Sequence, residues 1–393
     1  MLLPLEGIKV LDLSTMLPGP FCSMILADFG AEVIKVEAVK GGDLFRGGVP
    51  RIGDTGGAFF QVNRNKKSIT LNLKSEEGKE IFYKLVKDAD VVLEQYRPGV
   101  VARLGVDYES VKAVNPNIVY CSLSGYGQTG PYKLASGHDL NYISYAGILG
   151  LTARKGQAPT IPGVQIADIG GGALYAVIGI LIALMGVKQN GVGQYVDISM
   201  LDGAVSWLPI LANDYFVKGV SPKVAENILN GQNACYEVYE TADERYISIG
   251  AIEPHLWANF CDAIGKEEFK AWQRDLTKQD EMFNYLRALF KGKTQAEWIE
   301  KLTGIDCCWA PVKNLEETFS DPQVLARDMV FEMTDPQGIY GSVKEIGSAI
   351  KLSETPARRD IFPPRKGEHN SEYLKAVGYT DEDIVAFIEN GVI

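Results

Sequence analysis

The sequence predicts an α/β protein: a large Rossmann-like domain on a parallel sheet, joined to a smaller α+β domain. Three observations predict it. Residues 8–37 read strand, turn, helix, strand, with an acid closing the second strand. That is βαβ grammar and calls for parallel strands. Further short apolar runs follow at 68–73, 91–95, 118–124 and 194–198. Residues 236–251 then change to alternating β formers about a turn, followed by helical patterns to about Leu302.

Taken in order, Ile8–Leu13 is the first strand and Pro18-Gly19-Pro20 breaks it. Phe21–Phe29 reads as a helix stopped by Gly30, and Glu32–Glu37 as the next strand. The turn lacks the G-x-G-x-x-G spacing, and its two prolines remove N–H donors that a pyrophosphate needs, so a nicotinamide site is disfavoured. Ser68–Leu73 is preceded by Asn63-Arg64-Asn65-Lys66-Lys67, whose three cations suit either a phosphate-bearing ligand or a solvated loop. Glu76–Asp88 is an amphipathic helix and Val91–Gln95 a short strand. Arg97-Pro98-Gly99 turns after it, where open α/β sheets collect ligands, and Arg103 lies just beyond. Tyr108–Val114 is a short helix. The strand Ile118–Ser124 leads into a Gly-rich loop at 125–131. A central apolar helix ends at Gly191. Gln194–Ile198 is a strand, Met200–Leu211 a helix, and 213–232 a polar linker. Ala242-Asp243-Glu244 turns a hairpin, Glu253-Pro254 opens a helix, and a last helix runs Asp381–Asn390. The domains divide as 1–212, 213–315 and a segment 316–393 that returns to the large domain.

With 393 residues there is room for two domains, and 23% charged residues beside 46% hydrophobic ones mark a globular chain. The net charge of −11 argues against non-specific nucleic-acid binding, although a local basic patch can still hold an anion. Six cysteines show no CxxC pattern, and the adjacent pair Cys307-Cys308 reads as buried thiol rather than a vicinal disulfide or metal site. A reducing cytoplasm is the expected location, and no basic-then-apolar leader opens the sequence. Residues 169–187 carry no charge. They open on three glycines and lack flanking aromatic and basic belts, so a helix buried on all sides is expected rather than a membrane span.

One stretch carries the chemistry. His138 and Asp168 each stand at an apparent helix start, where free N–H groups can hold an oxyanion. A histidine is more often structural than catalytic, and an aspartate before a helix is a ready N-cap. The three glycines after Asp168 argue for more than capping, because they weaken a helix and admit a ligand or another backbone. A base and an acid on one pocket suit moving a proton off and onto carbon. Glu253 is an end residue that could also orient and charge a histidine. His255 is read as structural or exposed.

These residues carry a resemblance over nearly the whole chain. Leu-Ala-Asp-Phe-Gly-Ala-Glu-Val-Ile-Lys-Val-Glu (26–37), Asn-Leu-Lys-Ser-Glu-Glu-Gly (72–78), Tyr-Arg-Pro-Gly (96–99), Ser-Gly-Tyr-Gly-Gln-Thr-Gly-Pro (124–131) and Gly-Gln-Tyr-Val-Asp (193–197) resemble the family III CoA-transferase superfamily. Gly-His-Asp-Leu-Asn-Tyr-Ile-Ser (137–144) and Ala-Ile-Glu-Pro (251–254) resemble its α-methylacyl-CoA racemase branch. The resemblance implies an enzyme of lipid metabolism. It would invert the α-carbon of 2-methyl-branched acyl-CoA thioesters by 1,1-proton transfer through an enolate. His138, Asp168 and Glu253 are the implied catalytic residues. CoA and substrate would be held by Leu71, Asn72, Leu73, Lys74, Tyr96, Arg97, Arg103, Gly137, Asp139, Leu140, Asn141 and Tyr142. Where the family has a basic residue after the second strand this chain has Ala38, between Lys35 and Lys40. The resemblance further implies an interlocked homodimer in which Glu253 reaches His138 of the other subunit. No metal or cofactor is expected beyond the CoA of the substrate, and no membrane or nucleic-acid partner. The alternative is CoA transfer between carboxylic acids through an acyl or CoA thioester on Asp168. A non-catalytic acyl-CoA binder is the third reading.

Overall fold

A computed structural model describes residues Met1–Ile393. The chain divides into two compact units. One comprises Met1–Ala146, Gly163–Trp207 and Pro322–Ile393, the other Gly147–Pro162 and Leu208–Asp321.

The larger unit is built on six strands: β1 (Lys9–Asp12), β2 (Glu32–Glu37), β3 (Lys66–Thr70), β4 (Val91–Glu94), β5 (Val119–Ser124) and β6 (Tyr195–Ser199). They lie in the order β3-β2-β1-β4-β5-β6, all parallel. The order reverses at β1, so a crevice opens beyond the carboxyl ends of β1 and β4. Val10, Leu11, Val33, Ile34, Val91–Leu93 and Val119 are shut off from solvent. Burial on both faces explains why these strands read as unbroken apolar runs rather than alternating ones.

Helix α1 spans Pro18–Asp28 and helix α2 Glu76–Val86. The prolines do not end β1, which stops at Asp12; they begin α1, three residues before the position the sequence suggests. A proline costs nothing in a first turn, where its missing N–H would have no acceptor. The phosphate reading of Arg64 and Lys66 is wrong. Arg64 is 2% exposed and Lys66 0%. The Arg64 guanidinium forks onto Asp28 and also reaches Glu345. The Lys66 ammonium meets Asp12, Asn63 Oδ1 and the Pro20 carbonyl, and burial brings it down to about 8. Dry charges need partners at hand, and these ones tie three distant segments together.

The long apolar stretch begins as a π-helix, Ile166–Ala173, and continues as the α-helix Leu174–Asn190. The short helix Met200–Val205 lies against the π-helix. Here the glycines show their use. A Cβ on Gly171 would stand 2.6 Å from the Met200 carbonyl oxygen, and one on Gly203 would stand 1.9 Å from the Gly171 oxygen. The two backbones touch at Gly171, while Gly170 and Gly172 make room for the Trp207 and Met200 side chains.

The helix 174–190 is not buried on all sides within the chain. It buries Ala176, Val177, Ile180 and Ala183 but leaves Leu174, Ile178, Ile182 and Met185 exposed. The stretch Ile166–Asn190 is long and apolar enough to cross a membrane.

Pro322–Ile393 rejoins this unit: Val392 and Ser68 accept backbone hydrogen bonds from Asn72 and His369 at 2.8 and 2.9 Å.

The smaller unit holds an antiparallel sheet of β7 (Tyr236–Glu240), β8 (Tyr246–Gly250) and β9 (Trp309–Pro311), with β8 central. The helices Pro254–Ile264, Gln279–Phe290 and Gln295–Leu302 close its core around fully buried Trp257 and Trp298. The domain limits at 213 and 315 move to 208 and 321, and Gly147–Pro162 joins the small unit. Asn230 Nδ2 donates to the Leu151 carbonyl at 3.2 Å and holds that excursion in place. The supposed linker is partly helical, Pro209–Lys218. The expected helix at 200–211 is therefore two, divided before Pro209 because the residue ahead of a proline resists the α conformation.

Two substitutions test this packing. Gly203→Ala is expected to destabilise the protein by roughly 1–3 kcal/mol through overpacking. Arg64→Ala should cost about 3–5 kcal/mol, because Asp28 and Glu345 lose a buried partner. Urea midpoints against the unmodified chain measure both.

Candidate active site

His138 caps the helix α3 (Asp139–Tyr145) in an extended conformation, φ −127° and ψ 176°. Its N–H donates to Asn141 Oδ1 at 3.0 Å, and its carbonyl accepts from the Asn141 N–H at 2.8 Å. The backbone is thus gripped from both sides while the residue stays exposed. The preceding Gly137 is equally constrained. Its carbonyl accepts from the Tyr142 hydroxyl at 2.6 Å. A Cβ there would stand 2.7 Å from the Tyr126 hydroxyl oxygen. Gly137 and Tyr142 therefore shape the loop that presents His138.

Asp168 lies inside the first turn of the 166–173 π-helix, not at its N-cap. The N–H groups of Ala167 and Asp168 both donate to Asp139 Oδ1, at 2.6 and 2.9 Å. The capping group sought in Asp168 is the side chain of Asp139, from the other helix start. Burial, then the charge of Asp139, push the Asp168 carboxyl up to about 6, and nearby His138 opposes them. The Tyr142 hydroxyl is also raised, by burial and then by Asp168, while Arg97 works the other way. These influences bring His138, Asp139, Tyr142, Asp168 and Arg97 into one neighbourhood. A base and a half-buried acid in one neighbourhood can exchange a proton with a carbon held between them.

The remaining residues are spread more widely. Arg97 and Arg103 are exposed after β4, where the strand order reverses. Tyr96 is partly buried, and its N–H donates to Glu94 at 2.7 Å. Leu71 and Leu73 are core side chains, 3% and 8% exposed, so only their backbone can meet a ligand. Asn72 accepts from the Lys74 N–H at 3.1 Å, and Lys74 is exposed. Lys35 offers nothing to a phosphate, because it is buried against Asp43 at 2.7 Å. Lys40 is exposed. In the 15–20 loop the N–H groups of Met16 and Gly19 are taken by Asp43 and Gln95. That leaves the start of α3 as the better oxyanion donor, with the first-turn N–H groups of Asp139 and Leu140 lacking acceptors within the helix. Leu140 is 37% exposed.

Glu253 lies in the smaller unit, exposed at the start of Pro254–Ile264 and making no side-chain cap. His255 is exposed, as read. Cys307 is buried, and Cys308 is exposed rather than buried. The sequence reading missed Gln95, Tyr126 and Glu94. Burial pushes the Glu94 carboxyl up to about 7 at the end of β4. An acid closing an apolar strand and an aromatic between two glycines were the available signals.

Three comparisons place this geometry among known proteins. The family model "CoA-transferase family III" matches residues 5–370. The chain is 37% identical to an acyl-CoA transferase of Fusarium pseudograminearum, over 99% of this chain and 88% of that one. It is 34% identical to the alpha-methylacyl-CoA racemase of Mus musculus, over 99% of this chain and 97% of that one. A crystal structure of a CAIB/BAIF family protein from Brucella suis superposes with a TM-score of 0.83 at 32% identity, covering 96% of this chain and all of that one. A parallel sheet in this strand order, two short helix starts carrying His138 and Asp168, and motifs matched from residue 5 to 370 have one consistent account: the chain belongs to CoA-transferase family III.

Proposed function

We propose that this enzyme is a racemase or epimerase that inverts the α-carbon of 2-methyl-branched acyl-CoA thioesters by 1,1-proton transfer. The observation that supports the reading is exposed His138 in the neighbourhood of Asp168, whose carboxyl is raised to about 6. One group removes the α-proton from one face, and the other returns a proton to the opposite face. The thioester oxygen gathers charge as the enolate forms, and the first-turn N–H groups of Asp139 and Leu140 are its proposed donors. Such a donor contributes roughly 3–4 kcal/mol where one has been removed from an enzyme. When His138 is the base it starts neutral and Asp168 starts protonated. In reverse the roles exchange. The CoA moiety is assigned to the exposed cations Lys74, Arg97 and Arg103. No cofactor beyond the substrate's own CoA enters this reading, and cytoplasmic location is part of the proposal.

The assembly proposed is a homodimer in which Glu253 of one subunit charges and orients His138 of the other. The exposed apolar stripe Leu174, Ile178, Ile182 and Met185 supports a covered surface. A second copy of the chain, rather than a membrane, is the occupant proposed here.

CoA transfer is retained as a second reading, because relatives named as transferase and as racemase stand at 37% and 34% identity. There Asp168 attacks the thioester and carries the acyl group, then CoA.

Incubating a single-epimer 2-methylacyl-CoA in D₂O should give α-deuterium and loss of chirality. His138→Ala should slow that exchange roughly a hundredfold to ten-thousandfold. No exchange, with CoA passed to an added carboxylic acid and lost in Asp168→Ala, would establish transfer instead. The pH profiles supply a second check. The epimer that needs Asp168 as base should lose kcat/KM as pH falls below about 6, because the carboxyl then protonates. The epimer that needs it as acid should lose kcat/KM as pH rises above about 6.

A further inference from the structure

We propose that Asp139 is the positioning residue of the acid–base pair: its carboxylate, rooted in the first turn of α3, caps the helix that carries Asp168 and so sets the spacing between Asp168 and His138. This rests on the proposed proton-transfer role of those two residues.

The argument is geometric. A single oxygen, Asp139 Oδ1, accepts both the Ala167 and Asp168 N–H groups, at 2.6 and 2.9 Å. Those groups belong to the first turn of a helix and have no acceptor of their own there. The helix end makes no other side-chain cap. Asp139 follows His138 directly, so one short link joins the two groups that must face opposite sides of a carbon. Sequence separation is 28 and 29 residues for the two bonds, and the excursion Gly147–Pro162 lies within that interval. Without the link only packing would hold the two helix starts in register. A shift of about 1 Å at such a site is enough to cost on the order of a hundredfold in rate.

The carboxylate also acts through its charge. Asp168 must hold its proton for half of the proposed cycle, and a like charge beside it favours the protonated form. The groups facing Asp168 from α3 are Asp139, His138 and the Tyr142 hydroxyl. The other elements packed on its helix bring few charges. Met200–Val205 brings Asp202, which acts on Asp197 of β6. α1 brings Asp28, held by Arg64. Helix 174–190 brings Tyr175, bonded to Ser206. β5 and β6 bring Tyr120, Cys121 and Tyr195, each raised by burial.

Two variants of the full chain separate the roles. Asp139→Asn keeps an acceptor oxygen and removes the charge, while Asp139→Ala removes both. The Asp168 carboxyl is followed by ¹³C NMR in aspartate-labelled protein and assigned with Asp168→Asn. Its midpoint should fall in Asp139→Asn by on the order of one pH unit. Amide exchange at residues 167 and 168 should quicken at least tenfold in Asp139→Ala and far less in Asp139→Asn. The α-proton exchange rate should drop in Asp139→Ala and be largely rescued in Asp139→Asn, with its Asp168 limb moved to lower pH. An unmoved Asp168 midpoint in Asp139→Asn, together with unchanged amide exchange in Asp139→Ala, would overturn the proposal. If the unmodified protein exchanges no α-proton, the racemase reading fails on its own, and the titration and amide measurements still decide the role of Asp139.

Discussion

The structure around Asp168 depends on one close contact, where the backbones of Gly171 and Gly203 touch. Neither position tolerates a Cβ without displacing peptide atoms. The contact seats the π-helix 166–173 on the helix 200–205. Gly170 lies under the Trp207 ring and Gly172 against Met200, so the seat continues on both sides. Glycine is a poor helix former, and the lost propensity is offset by this packing. The result is a helix start whose direction is set by backbone rather than by flexible side chains. A carboxyl two residues before such a seat has little freedom to drift.

A second constraint acts on the opposite side of the sheet reversal. Asp12, Lys35, Asp43, Glu37, Arg46, Lys66, Arg64 and Asp28 are all buried and paired. They join β1, β2 and β3 to the 12–20 loop and to the C-terminal segment, through Glu345 and the Pro364 carbonyl. Buried ion pairs are weak evidence of net stability, but removing one partner leaves a charge without compensation. Their effect here is to fix the loops bordering the crevice. Cations that would otherwise offer a phosphate site are withdrawn into structure, and the exposed Lys74, Arg97 and Arg103 remain.

The chemistry is governed by an asymmetry between the two proposed proton carriers. Asp168 is half-buried beside another carboxylate, and burial first, then that charge, push its carboxyl up to about 6. His138 is exposed, with its backbone tied down. The same carboxyl could attack a thioester when ionised, so Asp168 alone does not distinguish proton transfer from acyl transfer. On the proposed reading the histidine is the group that does, because a transferase step has no need of a second acid–base partner on the opposite face. Relatives named as transferase and as racemase stand at comparable identity to this chain.

The parallel sheet, the small α+β unit, the helix start at His138 and the family itself were legible in the sequence. Their causes are local: apolar runs of strand length, β formers about a turn, and contiguous motifs. That Pro18 and Pro20 open α1 rather than close β1 follows from first-turn geometry, the rule that Pro254 also obeys. What only the tertiary structure decided involves partners distant in the chain. It showed that Arg64 and Lys66 face inward, because Asp28, Glu345 and Asp12 wait for them. It showed that residues 147–162 leave the large unit, because Asn230 holds Leu151. It showed that Gly171 admits a backbone and that its two neighbours admit side chains. And it showed that Asp168 is capped rather than capping, because a carboxylate 29 residues earlier reaches its N–H. A sequence lists which groups can accept a hydrogen bond or carry a charge. Only the fold brings them within the few ångströms at which those capacities are used.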